Sequence, residues 1–284
     1  MSMLRSLYRF LHPKIQTLFL EYRVRFVPRY GHGKPAHPEL LAAVEKARAD
    51  YRAFIEEILL YKENLQAIRP SGSGRSSTEP VWNNEFLPGL DIAGLYTMIA
   101  KHKPKKYVEI GSGNSTKVAF KAKKEQHPEM EIVSIDPFPR VEVDGLSDRV
   151  LRQPFEECSL DLVNELAPGD ILFIDNSHRI LPNSDSLVVF MEILPRLKKG
   201  VIVHFHDIYI PYDYPQFMCD RFYSEQYGLA LFILLDPVKY RTLFPCYFVS
   251  EDAELSAHLA PLWAHSNLAG VERHGGGYWL QIEA

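Results

Sequence analysis

Tyr107-Val108-Glu109-Ile110 is an apolar run broken by one acid, and it ends in Gly111-Ser112-Gly113 before Asn114-Ser115-Thr116 opens a helical pattern. A strand, a glycine turn and a helix in that order restrict the chain to folds in which helices wrap a parallel sheet. Gly111 and Gly113 let the backbone turn tightly at the carboxyl end of the strand and approach a ligand with no β-carbon in the way. Glu109 points an acceptor toward the same crevice, with Ser112 and Ser115 as hydrogen-bond donors. The turn is therefore expected to hold a nucleotide-like cofactor.

A second strand pattern, Glu131-Ile132-Val133-Ser134-Ile135, ends in Asp136, an acid placed to bind two ribose hydroxyls. A dinucleotide turn would carry a small third residue at position 116 and hold a pyrophosphate on the helix amino terminus. Here Thr116 stands there, and nothing specific to a pyrophosphate accompanies it. Further strands are expected near 149–152, 171–175 and 200–205, and again at 246–250 and 278–282, with helices near 90–102, 115–126, 159–166 and 185–197. Residues 38–68 read as one long amphipathic helix ended by Pro70.

In such a sheet the carboxyl ends of the strands line one crevice, so residues distant in sequence meet there. Asp175 and His178 follow Ile171-Leu172-Phe173-Ile174, and His206-Asp207 follows Val201-Ile202-Val203-His204-Phe205. His204 should lie one pleat deeper and pack in the core. A hydroxyl under attack needs its proton removed, either by a base near neutral pKa, for which His178 is the best placed, or by a divalent cation that lowers the hydroxyl's own pKa. Asn83 and Asn84 precede the first strand's leading helix and reach toward the cofactor carboxylate. The tyrosine-rich loop 208–217 is expected to form a lid or an acceptor pocket.

Together, Glu109-Ile110-Gly111-Ser112-Gly113-Asn114-Ser115-Thr116, Ser134-Ile135-Asp136-Pro137, Phe173-Ile174-Asp175-Asn176-Ser177-His178 and His204-Phe205-His206-Asp207 resemble the class I S-adenosylmethionine-dependent methyltransferases, closest to the macrolide-sugar O-methyltransferase branch. The resemblance covers roughly residues 80–284. It implies an α/β, Rossmann-like, doubly wound sheet of seven strands, the last antiparallel. It also implies S-adenosylmethionine contacted by Glu109, Gly111, Ser112, Gly113, Ser115, Asp136, Asp175 and Asn84, with His178 and His206 as catalytic residues. In that branch Asp175, His206 and Asp207 fall on metal-ligand positions. His206 replaces the usual acid there, which weakens the case for Mg²⁺ and leaves room for Mn²⁺, Zn²⁺ or no metal.

The chain of 284 residues divides into a mostly helical amino-terminal extension (1–70), a Gly/Ser-rich linker (71–80) and the α/β domain (81–284). A net charge of −4 offers no general attraction to nucleic acid, so a small-molecule acceptor is expected. The charge is uneven. Arg5, Arg9, Lys14, Arg23, Arg25, Arg29 and Lys34 face Glu21 alone within residues 1–35, a net +6 that leaves −10 for the rest. Apolar residues interleave with these charges, so the segment suits packing on the main domain, a homo-oligomer contact or peripheral contact with an anionic membrane. No apolar run reaches the roughly 18 residues of a membrane span and no cleavage signal opens the chain, which points to the cytoplasm. Cys158, Cys219 and Cys246 are too dispersed for a metal pattern and read as buried thiols. Three functions stay open: methyl transfer to oxygen or nitrogen, a metal-dependent hydroxylase or hydrolase built on the same residues, and a non-catalytic scaffold.

Overall fold

The computed structural model describes residues 7–8, 10–13, 16–71, 78–139 and 143–284. Arg5, Arg9 and Lys14 of the basic segment, and residues 72–77 of the linker, lie outside them.

Seven strands form the central sheet: β1 (Lys106–Ile110), β2 (Glu131–Ile135), β3 (Arg149–Leu151), β4 (Ile171–Ile174), β5 (Ile202–Phe205), β6 (Tyr240–Pro245) and β7 (Tyr278–Ile282). Their order is β3-β2-β1-β4-β5-β7-β6, with β7 antiparallel to both neighbours and the other pairs parallel. This is the Rossmann-like doubly wound sheet of seven strands. All four residues of β4 and of β5 are buried, as continuous apolar runs covered on both faces must be. The order reverses at β1, and ligands bind such sheets at that point.

Position 246 opens a helix, Cys246–Glu251, and not the expected strand; the strand lies just before it as β6. The single helix expected over 38–68 is three: α1 (Pro38–Glu45), α2 (Arg48–Leu60) and α3 (Lys62–Gln66). At the first break the buried Tyr51 hydroxyl donates to the Val44 carbonyl at 2.7 Å, satisfying an acceptor that helix continuation would otherwise have used. Residues 16–37 contain no helix; among the described residues of the extension, helix occurs at 7–8 and 10–11 and again from Pro38.

The extension is also not separate. Tyr51 and Phe54 of α2 pack on Phe244 and Phe248, and one apolar core runs from Leu40 through Ile282. Cys158, Cys219 and Cys246 are buried free thiols. Among the described residues no helix is long and apolar enough to cross a membrane.

Candidate active site

Sheet register builds the site. Ile110 pairs with Ile174, and Ile174 with Phe205, so the next residues, Gly111, Asp175 and His206, stand in a row across three strand ends. The ladder continues through them: Asp175 N–H donates to the Ile110 carbonyl at 2.8 Å, and His206 N–H to that of Ile174 at 2.9 Å. Gly111 has φ +79°, and a β-carbon there would stand 1.8 Å from the Asp175 carbonyl oxygen. Only glycine allows the turn and β4 to approach this closely.

The turn opens onto α5 (Asn114–Gln126). Gly113 N–H donates to Thr116 Oγ1 at 3.0 Å, and Thr116 in turn donates to Glu109. Glu109 has no exposed surface and also accepts from the Tyr107 hydroxyl. Burial pushes its pKa up to about 7 despite hydrogen bonds from Ser115, Thr116 and Tyr107. Through these bonds Glu109 braces the turn from beneath. Asp136 accepts from Ser112 N–H at 2.8 Å and Ser112 Oγ at 3.2 Å, and from Phe138 N–H at 2.8 Å, so it holds the turn's outer edge. Asn84 closes its own turn through Val81, Phe86 and Leu87, and its Oδ1 accepts from Asn114 Nδ2 at 3.2 Å, which fastens loop 83–88 beside the glycine turn.

Beside the row lies a buried cluster of charge. His178 Nδ1 is 3.0 Å from Glu225 Oε2, and its Nε2 lies 3.3 Å from Asp175 Oδ1 and 3.5 Å from Asp207 Oδ2. His206 Nδ1 lies 3.6 Å from Asp175 Oδ1 and 3.7 Å from Asp207 Oδ1, and its Nε2 lies 3.4 Å from Asp91 Oδ2. Burial alone would lower the pKa of both rings. The carboxylates outweigh it, raising His178 to about 10 and His206 well above its ordinary value. Asp175 and Asp91 move the opposite way: burial would raise them, but the imidazoles hold them below the usual carboxylate range.

His178 and Asp207 both adopt left-handed backbone, φ 60° and 56°, a conformation that costs energy and concentrates at functional sites. Asn176 Oδ1 supports the first by accepting from His178 N–H at 2.9 Å. The His178 carbonyl then accepts from the N–H groups of Ser224 and Glu225, the first turn of helix Glu225–Leu235, which fixes Glu225 beneath the ring. His204 stays outside the cluster. Its ring stacks on Phe173 at 3.9 Å, and burial lowers its pKa to about 3, so it is a neutral packing residue.

Asp175, His178, His206 and Asp207 all face a cavity of about 650 Å³. Tyr209, Phe217, Tyr223 and Tyr247 give it aromatic walls, and Arg221 stands beside them with its guanidinium 4.7 Å from the Tyr223 ring centre. A smaller cleft of about 80 Å³ opens at Ser112, Gly113, Asn114 and Ser115, and Asp175 lines it too. Part of the larger wall comes from the extension. Asp213 Oδ2 accepts from the N–H groups of Arg29 and Tyr30, His32 Nε2 lies 2.8 Å from the Asp213 carbonyl, and His37 N–H donates to Pro211. Gly31, at φ +71° and pressed against Tyr212, allows this strap to turn so that His32 lines the cavity.

The structure thus brings together Asp175, His178, His206 and Asp207, and separately Gly111, Ser112, Gly113, Ser115 and Asp136. Sequence reasoning missed Asp91 and Glu225, the buried carboxylates behind the two histidines. Asp91 left one signal, a lone acid in the apolar stretch Leu90 to Leu95 of α4 (Gly89–His102). Glu225 left none, because an acid in a helix's first turn is ordinary.

Asp175, His206 and Asp207, the expected metal ligands, lie together and are engaged with one another as ion pairs. The His206 ring lies between Asp175 and Asp207, whose charge raises its proton affinity and which it neutralises when protonated. Among the described residues no group of three or more His, Cys, Asp or Glu is arranged to hold a metal ion.

No curated protein sequence matches the chain. Among solved structures it is similar to the SAH-bound methyltransferase PaMTH1 of Podospora anserina, at 15% identity over 90% of this chain and 100% of that one, with a TM-score of 0.43. It is also similar to an O-methyltransferase from Bacillus cereus in complex with SAH, at 12% identity over 82% of this chain and 91% of that one, with a TM-score of 0.37. Residues 108–208 match a family model described as a methyltransferase domain. That matched stretch runs from β1 through His206 and Asp207, so its span includes both the glycine turn and the histidine–carboxylate row.

Proposed function

We propose that the protein transfers a methyl group from S-adenosylmethionine to a hydroxyl of a small molecule bound in the 650 Å³ cavity. One observation carries this reading: Asp175 lines both the cleft at the glycine turn and the larger cavity, so the two binding spaces meet at one carboxylate. The cofactor, when bound, supplies an electrophilic methyl on a positively charged sulfur. Everything else falls to the chain. Ser112, Gly113 and Ser115 line the cleft for its amino-acid end, and Asp136 stands where ribose hydroxyls would replace its bonds to the turn.

Four carboxylates surround two imidazoles, so with all of them ionised and both rings protonated the cluster holds a net charge of −2. A sulfonium is favoured beside such charge. Asp207 and Asp175 orient an acceptor hydroxyl by accepting its hydrogen bond, and its proton passes to His178 in the fraction of molecules where that ring is neutral. Tyr209, Tyr223 and Tyr247 hold a ring-bearing acceptor and exclude water. An amine acceptor would meet the same residues, but a hydroxyl makes fuller use of a base. A metal-centred hydroxylase or hydrolase would need the two imidazoles neutral, and their ion pairs with the surrounding carboxylates do not favour it.

Calorimetry with S-adenosylhomocysteine in the presence of EDTA tests the reading. Binding that survives the chelator and is lost in Asp136→Ala supports it. Binding of NAD with no S-adenosylhomocysteine binding overturns it.

A further inference from the structure

The basic extension has an exposed part that the cavity does not use. Of twenty-two large apolar side chains exposed among the described residues, ten lie within residues 7–27, among them Phe10, Leu18, Phe19 and Tyr22. Such a concentration is not the scattered exposure normal to soluble surfaces. Arg23, Arg25 and Arg29 sit in or beside the same stretch and make no ion pair among the described residues. Apolar and aromatic side chains interleaved with unpaired cations, on a chain otherwise at −10, match one kind of surface by charge and by polarity.

The position of this stretch matters as much as its composition. Phe26 packs edge-on against Phe222 at 4.7 Å, and its carbonyl accepts from Gln216 at 2.7 Å. Phe222 is exposed and directly follows Arg221, which lines the cavity beside exposed Phe217. The strap that continues from Phe26 forms the cavity wall at His32. Whatever the chain around Phe26 rests on therefore lies next to the cavity mouth.

We propose that the described residues 7–8, 10–13 and 16–27 dock the protein on an anionic bilayer surface, with Phe217, Arg221 and Phe222 turned toward it, so that the acceptor of the methyl-transfer reading above enters from the membrane interface as an amphipathic, hydroxyl-bearing molecule. The exposed side chains enter the headgroup region while the arginines meet lipid phosphates. The cavity's aromatic walls continue the apolar path from the interface to Asp207.

Sedimentation of the full chain with phosphatidylcholine vesicles, with and without phosphatidylglycerol, tests the docking. Binding is expected only with the anionic lipid and should weaken with salt. The double variant Arg23→Gln/Arg25→Gln should bind about twenty-five-fold more weakly, near fivefold for each charge. Leu18→Ser/Phe19→Ser, exposed positions whose change leaves the core alone, should also weaken it. A Phe222→Trp reporter, quenched by brominated lipid on docking, reads the orientation. No binding to anionic vesicles overturns the proposal, as does binding without quenching of that reporter, or a stable second copy that buries the segment in its place. S-adenosylhomocysteine binding measured on the same preparations separates this outcome from a failure of the methyltransferase reading, since docking can fail while the cofactor still binds.

Discussion

Replacing Glu225 with Gln tests the charge cluster at its most buried point. Glu225 has no exposed surface and sits 3.0 Å from His178 Nδ1, while Ser186 Oγ donates to its other oxygen at 3.3 Å. The glutamine keeps the shape and an acceptor oxygen but removes one negative charge. Two unit charges about 4 Å apart interact by about 4 kcal/mol at an effective permittivity near 20, which is roughly three pKa units. Burial lowers the His178 pKa and the hydrogen bonds to Asp175 and Glu225 raise it, to about 10. Losing Glu225's charge should therefore bring it down to roughly 7, where a neutral ring is common at physiological pH. A pH titration of the His178 ring by NMR reads this directly. A shift of less than about one unit (about 1.4 kcal/mol), in a variant that keeps its near-ultraviolet circular dichroism, would refute the claim that Glu225 sets this ring's proton affinity.

Gly111→Ala forces a β-carbon into the Asp175 carbonyl and holds alanine at φ +79°; the left-handed conformation alone costs about 1–2 kcal/mol, so the melting temperature should fall and S-adenosylhomocysteine binding should be lost in calorimetry. Asp91→Asn leaves His206 without its inner carboxylate and weakens the acceptor for Gly276 and Gly277 N–H, and should cost about 3–5 kcal/mol in urea unfolding. His178, with a folded pKa near 10 above an ordinary 6.5, stabilises the fold fully below pH 6.5; that contribution should disappear as pH rises through 10, and a wild-type stability unchanged between pH 7 and 10 would count against it.

The strands that position chemistry were the most legible part of the chain. β1, β2, β4, β5 and β7 are short apolar or β-branched runs with sharp ends, and buried parallel strands leave that signature whatever surrounds them. β6 was not legible, because Tyr240 to Pro245 merges into the apolar helix that begins at Cys246, and periodicity cannot divide a continuous apolar stretch. The helix over 185–197 was found but not its changes of pitch, which end at Leu194–Arg196, where Pro195 has no N–H to continue the ladder. At the site, Asp175, His178, His206 and Asp207 were visible because they follow strands directly. What Glu109 bonds to was not legible, for a reason internal to the pleat. Side chains alternate faces, and the acid at position 109 enters the sheet's interior, where Tyr107 and Thr116 satisfy it. The strap from Arg29 to His37 was invisible, since its contacts pair the Asp213 carboxylate and the His32 ring with main chain some 180 residues away, and a lone acid or histidine in a loop gives no sign of so distant a partner.

The alignment of Gly111, Asp175 and His206 follows from backbone pairing, whereas the surfaces an acceptor would meet come from connecting segments such as 28–37, 83–89 and 209–223. Reaction and selectivity are thus specified by different parts of the polypeptide. On the proposed methyl-transfer reading, rewriting those connections should redirect the protein to new molecules while the sheet keeps the strand-end row in place, which makes the segment around His32 a natural place to begin diversifying it.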